Sequence, residues 1–266
     1  MKLSSDIAAA LSEDRLSDAL TMAKEHVMTK PADTEARHFY IDLLMLSGEY
    51  EKADAQCNIA VTFSPGDTMG FAFLRNQLRG IAARNAWFET GAMPQFPHGP
   101  DAVDQAALKL NLAHREGEAG AALQALEEAR GTQPMLWNGK ALDDLRDLDD
   151  RTPHILEIIT TGGAYLWIGL AQITSVRLEP IARPRDFAFR RGQVAMHDGA
   201  SADVLIPAIY PGTAGNAALL LGRETDWIDE KSGIVTGRGQ RSFLAGDEIA
   251  SFHDLTLLEA VEVAHG

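Results

Sequence analysis

Residues 13–33, EDRLSDALTMAKEHVMTKPAD, and residues 47–67, SGEYEKADAQCNIAVTFSPGD, superpose at an offset of 34 residues. The superposition pairs Ala19 with Ala53, Val27 with Val61, Pro31 with Pro65 and Asp33 with Asp67. This is the tetratricopeptide period, in which each helix pair carries an apolar face that only a neighbouring pair can bury. The residue types suit the phase. Gly48 falls at the inter-helix turn, Tyr50 and Ala53 open the second helix, Ala60 permits close helix packing, and Pro65 stops the helix. A weaker copy, GEAGAALQALEEARGTQP, places Gly117, Ala122, Ala129 and Pro134 at an offset of 69 from Gly48, Ala53, Ala60 and Pro65. Between the copies, TMGFAFLRNQLRGIAARNAWFE reads as a helix, and the three prolines of TGAMPQFPHGP interrupt the pattern. Residues 1–134 are therefore expected to form a tetratricopeptide-like helical array.

After Pro134 the character changes. WNGKALDDLRDLDDRTP holds five aspartates (Asp143, Asp144, Asp147, Asp149 and Asp150) and reads as a solvated connector, part helix and part loop. Beyond it, HILEIIT, AYLWIGL, ITSVRLE, DVLIPAIY, AALLLGR, GQRSFLA and LLEAVEV read as strands, with turn-forming glycine or proline between most of them. Their spacing leaves no room for amphipathic helices except one or two short ones near 184–192. The fold class expected is α+β: a helical array over 1–134, then a mainly antiparallel β-rich domain over 135–266.

Charge narrows the function classes. Lys plus Arg number 24 against 38 Asp plus Glu, a net charge of −14, which disfavours nucleic acid and anionic membrane as partners. The single cysteine, Cys57, excludes an internal disulfide framework and sits at a helix packing position, as a small core residue. Asp6, Glu13 and Asp14 interrupt what would be the apolar run of a signal peptide, and ILEIITTGGAYLWIGLAQI contains Glu157 and Gly162-Gly163, so it reads as two strands and a turn. A cytoplasmic protein is expected.

One stretch looks like an active site. LGRETDWIDEKSGIVTGRGQRSFLAGDEIA crowds Arg223, Asp226, Trp227, Arg238 and Arg241 around Gly237 and Gly239. Phosphate binding would need a helix opening straight after the glycines, whereas QRSFLA followed by Gly246-Asp247 reads as a short strand entering a turn. A twisted hairpin with close backbone contacts fits better. In it, Asp226 and Arg223 can pair with Arg238 or Arg241 beneath Trp227, either to fix strand register or to form a recognition patch. There is no Gly-x-Ser-x-Gly elbow and no P-loop spacing, and neither His197-Asp198 nor His253-Asp254 has further ligands at helical spacing. No catalytic residue, metal ligand or cofactor is assigned. On the array, Glu35, His38, Asp42 and the more apolar Met45 are the candidate groove residues, and the two carboxylates would favour a partner segment bearing Lys or Arg beside an apolar stripe.

The ordered segments DDLRDLDDRTPHILEII, AYLWIGLAQI, RPRDFAF, LIPAIYPG, LLGRETDW and GRGQRSFLAGDE resemble the ImpE/TagJ (SciE-type) family of type VI secretion accessory proteins. RTPH replaces a glycine often seen before the first of these strands. The resemblance implies an adaptor and not an enzyme. Its implied partners are the small subunit of the contractile sheath, held through a helical segment, and the ClpV-type AAA+ ATPase that disassembles contracted sheath. A chaperone-like holder of secretion subunits and an enzyme with its site in the C-terminal sheet are the alternatives.

Overall fold

The computed structural model describes residues 2–261, and seven helices occupy its first half: α1 (Lys2–Ser12), α2 (Leu16–Thr29), α3 (Thr34–Leu46), α4 (Tyr50–Phe63), α5 (Thr68–Thr90), α6 (Ala102–Glu116) and α7 (Gly120–Arg130). The repeat phase is visible in the backbone. Asp14 and Gly48, one period apart, both take the left-handed conformation at the turn between helices (φ 56° and 73°), as does Gly117 (φ 94°). Aspartate is among the few non-glycine residues that accept it at modest cost. Ala19, Ala53 and Ala60 are fully buried, as close helix packing requires. The third copy departs from this. Ala122 is only half-buried and Ala129 is exposed, while Ala119 and Leu126 supply the packing face, so α6 and α7 pack through a shifted stripe. No helix among the described residues is long and apolar enough to cross a membrane.

The second half is built from β1 (Met135–Trp137), β2 (Lys140–Leu142), β3 (Leu145–Asp147), β4 (Ile155–Thr160), β5 (Tyr165–Gly169), β6 (Ile173–Leu178), β7 (Phe189–Met196), β8 (Ser201–Pro207), a four-residue helix α8 (Ala217–Leu220), β9 (Thr225–Asp229), β10 (Val235–Gly239), β11 (Ser242–Ala245), β12 (Glu248–Ser251) and β13 (Leu257–Ala260). Eight strands form one sheet in the order β2-β1-β13-β6-β7-β8-β4-β5, with every adjacent pair antiparallel. The α+β class with a mainly antiparallel sheet is therefore correct. Two local expectations are not. AALLLGR forms α8, because the Asn216 side chain accepts from Ala218 N at 2.9 Å and caps a helical turn. Within 184–192 only Pro184–Phe187 is helical, and β7 starts at Phe189.

Alternation along β4 sorts its side chains between two cores. Ile155 and Ile159 join the cluster that includes Leu78, Ile81 and Trp87 of α5, whereas Leu156 and Ile158 face the other side with Phe243 and Phe252. One sheet face is thus covered by helices and the other by the small β12-β11-β3 sheet. The helical array and the sheet share a core.

The connector is not solvated. Of its five aspartates only Asp143 is exposed, and the others are drawn in by specific partners. Asp144 pairs with Arg130 at 2.7 Å, Asp149 accepts from Arg151 at 2.5 Å and from Gly237 N at 2.9 Å, and Asp150 accepts from Val235 N at 2.7 Å. The segment strings the sheet to the 235–239 region. In limited digestion with a non-specific protease, first cleavage is expected in the exposed 97–101 loop and not at 143–150; an initial cut in the connector would contradict this anchoring.

Candidate functional site

The inner face of the array is already filled. Residues 181–187, which precede β7, lie against α3, and Asp42 receives Arg183 Nε at 2.9 Å and Arg185 Nη1 at 3.3 Å. Asp42 is completely buried, and burial pushes its carboxyl above the usual range against the pull of Arg185 and Arg183. Met45 is also buried, at 1 % exposure. Both residues are therefore corrected from partner contacts to packing contacts. Groove positions of a repeat array are open only when nothing in the same chain lies on them. His38 is half-buried and stacked on Phe71, with ring centroids 4.7 Å apart. Burial, then Arg183 and Arg185, lower its pKa and favour the neutral ring. Glu35 alone of the four is exposed.

The 223–241 stretch is the hairpin that its sequence suggested, with β9 and β10 paired from Asp229↔Val235 to Thr225↔Gly239. Gly237 is required because a Cβ there would overlap the ring of Tyr210, and Gly239 takes φ 86° where a Cβ would overlap Glu224 O. The expected pairing within the stretch does not occur. Asp226 stands opposite Arg238 in register, yet Arg238 approaches Glu230, at 4.0 Å. Arg223 instead reaches α1, pairing with Asp14 and donating to Leu11 O at 2.7 Å. Arg241 turns inward and is wholly buried, which removes it from any recognition surface. Trp227 remains 40 % exposed, edge-on to Tyr210 at 5.6 Å.

Arg241 belongs to a buried ionic cluster centred on Glu157. This carboxylate sits mid-strand on the helix-facing side of β4, where Arg84 of α5 grips it bidentately, with Nε 2.8 Å from Oε1 and Nη2 3.0 Å from Oε2. Arg241 pairs with Oε2, and the Tyr165 hydroxyl donates to Oε1 at 2.6 Å while accepting from Trp167 Nε1 at 2.7 Å. Burial alone would raise the Glu157 pKa, but Arg84 and then Arg241 bring it down to about 2. On the far side of Arg241, Asp147 lies 3.4 Å from Nε and accepts from the Tyr210 hydroxyl at 2.7 Å; burial lifts its carboxyl to about 7, with Arg241 opposing. The cluster ties α5, β4, β5 and the start of β11 together across the shared core. Cys57 is fully buried, and its thiol is pushed up to about 12.

Residues 139–259 match the profile of the ImpE protein family. Over 261 residues, the chain is 29% identical to the type VI secretion system accessory component TagJ of Pseudomonas aeruginosa, an alignment covering 92% of this chain and 87% of that protein. The second half of the chain thus carries an ImpE-type stretch, and nearly the whole chain is similar to TagJ. A crystal structure of a Vibrio parahaemolyticus protein shares the fold with a TM-score of 0.88 at 25% identity, over 97% of this chain and 98% of that one. The ImpE match contains Asp147, Glu157, Arg183, Arg185 and Arg241, while their helical-side partners Asp42 and Arg84 lie outside it.

Neither Glu157 nor Arg84 was among the candidate site residues read from the sequence. A signal was present for both. A glutamate in the middle of ILEIIT, and an arginine between Ile81 and Trp87 on an otherwise apolar helix face, are charges that burial tolerates only in pairs.

Proposed function

We propose that this chain is a member of the ImpE/TagJ family and a non-enzymatic accessory protein of a type VI secretion system, acting in the cytoplasm as an adaptor. Its partners on this reading are a helical segment of the sheath small subunit and the ClpV-type ATPase. The observation that carries the proposal is the extent of the likeness to the accessory component TagJ, which includes the helical array as well as the ImpE stretch. The ionisable groups brought together by the fold support an adaptor, because Arg84, Glu157, Asp147 and Arg241 are buried against one another.

With the inner face occupied, partner contacts fall elsewhere. Ile59 and Phe63 on α4 and Met69 and Phe73 on α5 are each more than 40 % exposed, at i,i+4 spacing on two consecutive helices. Such an apolar surface suits the stripe of a partner helix. Trp227 and Ile228, flanked by Arg223, Asp226 and Arg238, offer a second surface on the hairpin, and Glu35 with His38 adds a lesser contact on α3.

A tagged full-length chain recovered from cells expressing the secretion cluster is expected to bring down the sheath small subunit. The double variant Phe63→Glu/Phe73→Glu should reduce that recovery at least tenfold while keeping its circular dichroism. Undiminished recovery would move the contact away from α4 and α5. If the wild type recovers neither sheath subunit nor ATPase, the adaptor reading fails.

A further inference from the structure

A sheet edge is ordinarily paired, covered or charged, and the β9-β10 hairpin treats its two edges differently. Bonds from Gln240 N to Glu224 O and from Glu230 N to Ile234 O set the phase of the ladder, so Asp226 and Ile228 turn their backbone groups toward β10. On β10 the alternate N–H groups point away from β9, and all three are taken. Val235 N donates to Asp150 Oδ2 at 2.7 Å, Gly237 N to Asp149 Oδ2 at 2.9 Å and Gly239 N to Thr213 Oγ1 at 2.8 Å. The outer edge of β9 has no such cover. Thr225, Trp227 and Asp229 direct their N–H and C=O groups to it, and none of these groups has a hydrogen-bond partner among the described residues.

The side chains along this edge are acidic. Glu224, Asp226 and Asp229 are exposed, and none forms an ion pair among the described residues. The neighbouring arginines are engaged elsewhere, Arg223 with Asp14 and Arg238 with Glu230, while Lys231 falls in the turn beyond the paired stretch. Between Asp226 and Asp229 lie Trp227 and Ile228, 40 % and 37 % exposed. This pattern opposes pairing with a second copy, whose own β9 would bring the same carboxylates alongside, and it favours a strand of opposite charge.

We propose that the outer edge of β9 accepts an extended segment of a partner protein as an added antiparallel strand, with Lys or Arg opposite Asp226 and Asp229 and apolar residues opposite Trp227 and Ile228. Thr225, Trp227 and Asp229 can each exchange two backbone bonds with such a strand, and the side chains between them select its sequence. Five residues of strand span about 17 Å, so the segment is short. The inference rests on the hairpin surface named above being a contact surface, and not on α4, α5 or the sheath subunit.

The test uses the full chain and fluorescence anisotropy with a labelled peptide whose core is Lys-Val-Phe-Lys-Thr, which places lysines opposite Asp229 and Asp226 and phenylalanine opposite Trp227. It should bind saturably and weaken as salt rises. Replacing both lysines with glutamate, or methylating the phenylalanine backbone nitrogen, should each cut affinity at least tenfold. Bound peptide should slow amide exchange at Trp227 and Asp229 at least tenfold, whereas Asp226 and Ile228, already bonded to β10, should change little. Asp226→Lys/Asp229→Lys should abolish binding with unchanged circular dichroism, since both side chains are exposed. Absence of saturable binding, equal binding of the N-methylated peptide, or unchanged exchange at Trp227 and Asp229 would overturn the proposal. So would dimerisation of the peptide-free chain that Asp229→Pro abolishes, which would give the edge to a second copy. None of these outcomes alters the recovery expected through α4 and α5.

Discussion

Glu157→Gln is expected to lower the melting temperature by roughly 10 °C, the largest loss for any single isosteric change in the chain. Removing this carboxylate leaves Arg84 without a charged partner and Arg241 with Asp147 alone, at 4 % and 0 % side-chain exposure, and breaking a buried pair in this way costs about 3–5 kcal/mol. For a chain of this size each kcal/mol moves the midpoint by about 2–4 °C. Arg84→Met should cost less, since Glu157 keeps Arg241 and the Tyr165 hydroxyl. Equal midpoints for the two variants, or a wild-type midpoint in Glu157→Gln, would show that the cluster does not hold the halves together.

The same cluster predicts how stability follows pH. Glu157 has its folded pKa held near 2, below its ordinary 4.5, so its stabilising contribution is present above about pH 4.5 and is lost as pH falls toward 2. Asp147 works in the opposite sense. Its folded pKa of about 7 exceeds the ordinary 3.8, so its contribution is complete below about pH 3.8 and is lost as pH rises through 7. In thermal melts from pH 3 to 8, Glu157→Gln should flatten the acid limb and Asp147→Asn the limb between pH 4 and 7.

Gly163→Ala is expected to be comparably damaging. Gly163 has φ 88°, and a Cβ there would overlap Asn76 O and lie 3.0 Å from Asn76 C, both backbone atoms of α5 that cannot swing aside. The left-handed conformation costs about 1–2 kcal/mol and the overpacking about 1–3 kcal/mol. Gly80 on α5 completes the close approach, since a Cβ on it would sit 2.5 Å from Ile159 Cγ2. The adjacent Gly162→Ala is the control. Its nearest neighbour would be Thr160 Oγ1 at 3.7 Å, and its melting temperature should stay within about 2 °C of wild type. A similar shift in both would remove the role assigned to this contact.

What could be read in advance divides by range. The repeat of Ala19 on Ala53, the alternation in HILEIIT and the glycine-marked hairpin at 237–239 are local patterns, and they led to the helical array, the antiparallel sheet and the hairpin. The placement of Asp42, Arg84 and Arg241 depends on partners 141, 73 and 84 residues away, for which no local periodicity exists. Asp42 and Met45 therefore looked like groove residues, and the aspartates at 147–150 like a solvated run, until their arginines and backbone donors were located in space. The exposed apolar positions Phe63, Met69 and Phe73 were similarly hidden, since an array's sequence does not distinguish a face awaiting a neighbour from one that has none.

The segment that fills the array's inner face also sets an order of events during synthesis. Asp42 emerges from the ribosome 141 residues ahead of Arg183, which at about 5–20 residues per second is a delay of roughly 7–30 s. Throughout that interval the nascent helices present an uncovered carboxylate and the apolar side chains around it, with the sheet that will bury them still unmade. The newborn chain is thus a different object from the finished one, and its first half is a client for whatever holds unfinished proteins until the rest arrives.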